Sequence, residues 1–186
     1  MYKLTSWLYR ISGVPLVLIA LLVFIFFMVL VLPNMAGQLA AVTGVDVSPD
    51  TSFIYSSAEL YEMAEAYGEK GRAYYIYTRF TFDVAWPLAY VFFLVVTISY
   101  LYRDYDIGRP WKMLNLLPLA AGVFDFLENS AASLVMYRYP LETPVVAALA
   151  PAFTFIKWVA IGLSFAVLAL GLLIKVQGPI KILKRR

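Results

Sequence analysis

Four long runs of apolar residues, separated by polar segments, dominate the pattern of this chain. The runs cover about residues 11–32, 75–100, 114–136 and 145–174. A helix needs ~20 residues to cross a hydrocarbon core of ~30 Å, and each run is at least that long. Because lipid leaves free backbone groups without partners, and because the alternation of a membrane barrel is absent, the runs predict four transmembrane helices. The expected fold is therefore all-α, an integral membrane four-helix bundle forming a single transmembrane domain over residues 1–186.

The longest polar segment, residues 33–74, carries a helix signal of its own. Ser56, followed three residues later by Glu59, forms a capping box that predicts a helix from about residue 57. Its apolar stripe consists of Leu60, Met63, Ala64 and Tyr67. The first half of the segment is expected to be broken at Gly37, Gly44 and Pro49. The helix is expected to end at Gly68 and Gly71. We expect an amphipathic helix over about residues 57–67 that covers apolar helix ends or, alternatively, closes a cavity as a lid.

Composition supports a membrane protein and excludes several kinds of chemistry. The 186 residues are 62% hydrophobic and 15% charged, against ~25% charged in soluble domains, and the mean hydropathy is +0.77. The chain has no cysteine and no histidine. This excludes disulfides, thiol catalysis, ordinary zinc sites and histidine-based acid–base mechanisms. A net charge of +3 gives no reason to expect nucleic acid as a partner.

The distribution of lysine and arginine predicts the orientation. Ten of these residues flank the spans on the side that holds both termini, and four lie on the opposite side. The positive-inside rule then places both termini in the cytoplasm of a multi-pass protein of the cell membrane. The first span is longer than the core of a secretory signal, so we interpret it as a retained anchor. The basic residues near the carboxyl terminus, within 181–186, are expected to act as a stop-transfer anchor or, alternatively, to contact anionic lipid.

Ionisable residues inside the predicted spans are the most informative feature. Asp83 lies in the second span, Asp125 and Glu128 in the third, and Lys157 in the fourth, with Arg79 one turn outward of Asp83. Each such charge costs roughly 2.5–3.5 kcal/mol near the bilayer centre, whereas a whole protein is stable by only ~5–15 kcal/mol. The charges are therefore expected to face inward and to pair.

Helical spacing places further polar residues beside these charges, in the outer half of the bundle. They are Tyr90, Asn129 and Thr154. Three acids face two bases, so either one carboxyl is protonated or Arg72 or Arg138 reaches in from the outer side. This arrangement suits a site that handles protons or cations, and also a static salt-bridge network. Paired carboxylates can bind cations through oxygen, but Lys157 nearby argues against a tight divalent site, and we expect no metal or cofactor.

Four short patterns in this region resemble a group of small four-helix membrane proteins to which no activity is assigned. The patterns are G-x-x-G-R-x-x-Y from Gly68, D-x-x-x-P-L-x-Y from Asp83, D-x-x-E-N from Asp125 and T-x-x-K-W from Thr154. The likeness spans about residues 49–158, while the first span and the tail match only as apolar and basic segments. The resemblance implies a recurrent constellation of charged residues and no particular activity.

Three hypotheses for the function follow. The first is a protein that binds or transports a small amphipathic or cationic ligand, or protons, at the charged site. The second is an intramembrane enzyme on a lipid-like substrate, with a carboxyl group as acid or base. The third is an accessory subunit of a larger membrane complex. The expected partners are membrane lipids, a small-molecule ligand, and either a second copy of the chain or other subunits.

Overall fold

The computed structural model describes residues 2–105 and 108–176. Within them the chain forms eight α-helices: α1 Tyr2–Ile11, α2 Val14–Phe26, α3 Leu32–Thr43, α4 Ser57–Arg79, α5 Phe82–Tyr102, α6 Arg109–Lys112, α7 Leu117–Arg138 and α8 Pro144–Val176. A π-helical turn, Phe27–Val31, joins α2 to α3, and short 3₁₀ turns occupy Pro49–Thr51 and Met113–Leu116. The basic segment 181–186, expected to act as a stop-transfer anchor, lies outside the described residues.

Four helical stretches are long and apolar enough to cross a membrane, which confirms the all-α fold with four candidate spans. They are Val14–Thr43, Ser57–Tyr102, Pro110–Arg138 and Pro144–Val176. The third and fourth agree with the sequence-based bounds to within a few residues at most ends. The first two differ, because helix continues through parts of the predicted loop.

The first span is longer than predicted at its carboxyl end. It continues through the π-helical turn and α3 to Thr43, so Gly37 does not break it. Pro33 lies in the first turn of α3, where a missing N–H is tolerated, and a glycine inside a helix costs only ~1 kcal/mol. Gly44 does end the helix, in the left-handed conformation with φ 72°.

Helix α4 begins as predicted and ends later. The capping box of Ser56 and Glu59 is present, and the predicted apolar stripe is buried. Gly68 interrupts the helix with φ 61°, but Gly71 does not end it, so α4 resumes and continues to Arg79. A Cβ atom at Gly71 would lie 2.9 Å from Cγ2 of Thr43, so glycine here allows α3 to pack closely against α4. The first half of α4 packs into an apolar cluster of the bundle and does not line the cavity described below, which favours a cover over helix ends rather than a lid on that cavity.

A polar layer lies between two apolar clusters inside the bundle. We call the end of the bundle that holds residues 44–56 and the first half of α4 the loop end. One apolar cluster lies there and includes Ala131 of α7 and Ala150 of α8. The other lies toward the end that holds α1 and includes Ala121 of α7 and Ala160 of α8. The polar positions of α7 and α8 fall between these two clusters along each helix. Helices α7 and α8 pack together most extensively, whereas the first span packs mainly on α5 and α4.

Candidate functional site

Eight of the nine residues predicted for the site are buried in the polar layer. They are Arg79, Asp83, Tyr90, Asp125, Glu128, Asn129, Thr154 and Lys157. Glu128 and Thr154 are completely buried, and the other six are at most 7% exposed. Because four helices contribute them, the layer forms only when α4, α5, α7 and α8 pack together.

One group of these residues surrounds Lys157, and we call Tyr90, Asp125, Glu128, Asn129 and Lys157 the lysine cluster. Lys157 forms an ion pair with Oε2 of Glu128, and its Nζ lies 4.0 Å from Oδ1 of Asp125. Tyr90 donates a hydrogen bond of 3.0 Å to Oδ2 of Asp125. Asn129 donates one of 3.2 Å to Oδ1 of the same carboxylate. Asp125 is thus held from three sides as an acceptor.

A second group surrounds Arg79, and we call Asp50, Arg79 and Asp83 the arginine cluster. Nη1 of Arg79 forms ion pairs with both carboxylates, at the break between α4 and α5. The guanidinium also lies 4.4 Å from the ring centroid of the fully buried Tyr75. This arginine therefore bridges two acids and covers an aromatic face at once.

Asp50 is a residue of the candidate site that the sequence does not predict. It lies in the polar segment 33–74, and nothing in the local pattern shows that this segment folds back over the bundle. The 3₁₀ turn Pro49–Thr51, in which Thr51 and Ser52 both bond the carbonyl of Ser48, places Asp50 beside Arg79. Of the two predicted ways to balance the charge, a protonated carboxyl or an arginine from the loop side, the structure does not show the second, and it adds the carboxylate of Asp50.

Arg72 is the predicted site residue that the structure keeps apart. Its Nη1 donates 2.9 Å to the carbonyl of Ala64, across the break at Gly68, and its guanidinium lies over the ring of Tyr139. The orphaned carbonyls at the helix break therefore hold this side chain. Arg138, the other candidate to reach in, is exposed at the end of α7.

Thr154 contacts a tyrosine rather than the charged groups. Its hydroxyl donates to the carbonyl of Ala150 at 3.0 Å and accepts a 3.1 Å hydrogen bond from Tyr55, whose single proton is free to donate. Burial raises the pKa of the Tyr55 phenol well above its usual value, so this tyrosine stays neutral. The pair ties residues 44–56 to α8 close to the lysine cluster.

A cavity of about 560 Å³ connects both clusters with the first span. Its charged lining residues are Asp50, Arg79, Asp83, Asp125 and Lys157. The uncharged Tyr90 also lines the cavity. Its apolar lining comes largely from one face of the first span: Phe24, Met28, Leu32, Met35, Ala36 and Leu39. The volume lies within the range of ~300–1,000 Å³ that is usual for ligand pockets.

Aromatic rings form the boundary between the charged and the apolar lining. Trp86 lies 5.8 Å from the ring centroid of Phe24 and 5.5 Å from that of Tyr90. Phe24 also stacks on Phe93, at 4.7 Å, in the apolar cluster toward the end that holds α1. The π-helical turn Phe27–Val31, a feature often found at functional sites, contributes Met28 to the cavity lining.

The charges of the two clusters do not balance. Four carboxyl groups, those of Asp50, Asp83, Asp125 and Glu128, face the two cations Arg79 and Lys157. With every group ionised the site carries a net charge of −2. Such an excess is costly in a low dielectric, so protons or an additional cation must offset it.

Neither metal-binding groups among the described residues nor similarity to other proteins explains this arrangement. Among residues 2–105 and 108–176, no group of three acidic side chains is placed to hold a metal ion. Comparisons with protein-family models, with curated proteins and with solved structures find no match to this chain. The function is therefore inferred from the chemistry of the residues that line the cavity.

Proposed function

We propose that the protein binds an amphipathic molecule with a cationic head group inside this cavity. The observation that carries the proposal is the continuity of one cavity from a charged lining with excess carboxylates to an apolar lining on the first span. A molecule with one cationic end and one apolar end is complementary to both.

The charged lining suits a cationic head group better than an anionic one. Asp83 and Asp125 line the cavity, and each already shares its cation with another carboxylate. A bound cation would reduce the excess negative charge, and its attraction is strong because the site is dry. Trp86 and Tyr90 add aromatic faces, which attract cations by ~0.5–2 kcal/mol each.

The apolar lining suits a hydrocarbon tail, and its position indicates how the ligand enters. Residues of the first span face Trp158, Ile161 and Phe165 of α8 across the cavity. The first span packs mainly on α5 and α4 rather than on α8. We expect the ligand to enter from the lipid between these two helices. If the distribution of basic residues sets the orientation as predicted, the termini are cytoplasmic and the ligand enters from the outer leaflet.

Binding of alkyl probes that differ only in their head group tests the proposal. Dodecyltrimethylammonium is titrated into the full-length protein in a neutral maltoside detergent, and bound adducts are counted by native mass spectrometry. Dodecyl sulfate is titrated in parallel. We expect the ammonium probe to bind at one site and the sulfate not to compete for it.

Two matched variants locate that binding. Asp83→Asn removes a charge from the cavity lining and should weaken binding of the ammonium probe about tenfold or more. Asp104→Asn removes an exposed carboxylate that pairs with Arg103 and should leave binding unchanged. Equal binding of sulfate and ammonium probes, or an unchanged affinity in Asp83→Asn, would refute the proposal.

The enzyme hypothesis gains no comparable support. In the described part of the chain, Lys157 is paired with carboxylates, and Asp125 is held by Tyr90 and Asn129. The acid and base groups of the site are thus engaged with partners inside the protein.

A further inference from the structure

Helix α1, Tyr2–Ile11, is an amphipathic helix at the end of the bundle opposite the loop end. Thr5 and Leu8 form its buried face, which packs against α5 and the Met113–Leu116 turn. Gly13 has an extended backbone, so α1 is a separate helix and does not continue directly into α2. The helix is thus positioned where the first span begins.

Two hydrogen bonds fix α1 to the bundle. The hydroxyl of Tyr9 donates 3.1 Å to the carbonyl of Lys112, and Nη1 of Arg103 donates 3.4 Å to the carbonyl of Ser12. Burial raises the pKa of Tyr9 to about 12, which keeps this phenol a neutral donor. The exposed surface of α1 therefore has a defined orientation on the protein.

The exposed side of α1 combines apolar and basic strips. Leu4, Trp7 and Ile11 are 43%, 47% and 39% exposed and share one face at helical spacing. Lys3 and Arg10 flank that face and are exposed as well. Together with Trp7 they border a shallow groove of about 270 Å³. Within the described residues, no carboxylate lies within ion-pair distance of Lys3 or Arg10.

We propose that α1 lies in the membrane interface and binds an anionic phospholipid, with the head-group phosphate between Lys3 and Arg10. Leu4, Trp7 and Ile11 would then contact the acyl region, as the apolar face of an interfacial helix does. Helix α1 carries no acidic residue, so its exposed side is complementary to negative charge. This site is separate from the cavity, and the proposal does not depend on the cavity ligand.

Native mass spectrometry of lipid binding tests the proposal on the full-length protein. Phosphatidylglycerol and phosphatidylcholine with identical acyl chains are titrated in turn. Each basic residue near an anionic surface strengthens binding roughly fivefold, so Lys3→Gln/Arg10→Gln should weaken binding of the first phosphatidylglycerol roughly 25-fold. Either single variant should weaken it roughly fivefold.

A control pair separates this site from general attraction between charges. Lys70→Gln/Arg138→Gln removes two exposed basic residues from the loop end and should leave phosphatidylglycerol binding unchanged. Equal binding of the two lipids by the wild type would overturn the proposal. So would a similar loss in both double variants, because the attraction would then not be specific to α1.

Discussion

Replacing Lys157 by methionine is the most direct test of the polar layer. The change keeps much of the side-chain volume and removes the cation that Asp125 and Glu128 share. All three side chains are at least 92% buried. Both carboxylates would therefore lose their shared cation at a site away from water. Removing one member of a buried ion pair costs about 3–5 kcal/mol, and we expect a loss of this size in the free energy of unfolding.

Equilibrium unfolding in mixed micelles, followed by circular dichroism, measures this loss. The matched variants are Glu128→Gln alone and the double variant Lys157→Met/Glu128→Gln. In the double variant one of the orphaned carboxylates is gone, so its stability should recover toward that of Glu128→Gln. The reasoning would be wrong if Lys157→Met lost less than ~1 kcal/mol, or if the two substitutions were simply additive.

Three further predictions concern other parts of the bundle. Gly71→Ala places a methyl group against Thr43 and should lower the free energy of unfolding by about 1–3 kcal/mol. At Gly37 a Cβ atom would meet nothing within 4 Å, so Gly37→Ala should leave the free energy of unfolding unchanged or raise it. Equilibrium unfolding in micelles measures both effects. Asp50→Asn removes one partner of the arginine cluster and should weaken binding of the ammonium probe, whereas Asp46→Asn, at an exposed position, should not. The accessory-subunit hypothesis predicts an additional protein mass after extraction in mild detergent, and a spectrum containing only this chain and lipid would count against it.

The sequence predicts those features that follow from the membrane or from spacing within one helix. Lengths of apolar runs gave the four spans, since bilayer thickness sets a minimum. The cost of charge in lipid implied that the buried charges face inward and pair. They do so in two groups, Asp83 with Arg79, and Lys157 with Asp125 and Glu128. The capping box at Ser56 gave the start of α4, because its two hydrogen bonds depend on four consecutive residues alone.

Features that depend on how loops fold over the bundle could not be read from the pattern. Gly37 indicated a break, yet the helix continues through it because packing of α3 on α4 outweighs the small local cost of a glycine. Arg72 was expected to approach the buried charges and is held instead at the break that Gly68 makes in α4. Asp50 lies in a short turn whose position depends on contacts with α4 and α8, so local spacing gives no indication of its partner.

The excess of carboxylates is the feature that leads us to propose a binding site rather than a purely structural network. A network that only aligns helices is most stable when its charges balance, because every uncompensated charge in a low dielectric reduces stability. Here Arg79 and Lys157 each serve two acids, and three of the four acids line a cavity that also offers an apolar wall. A cationic ligand that binds only the folded bundle should therefore stabilise it by RT ln(1 + [L]/Kd). Thermal unfolding that shifts upward with dodecyltrimethylammonium, and not with dodecyl sulfate, would link the charge excess to binding, whereas equal shifts would indicate a static network.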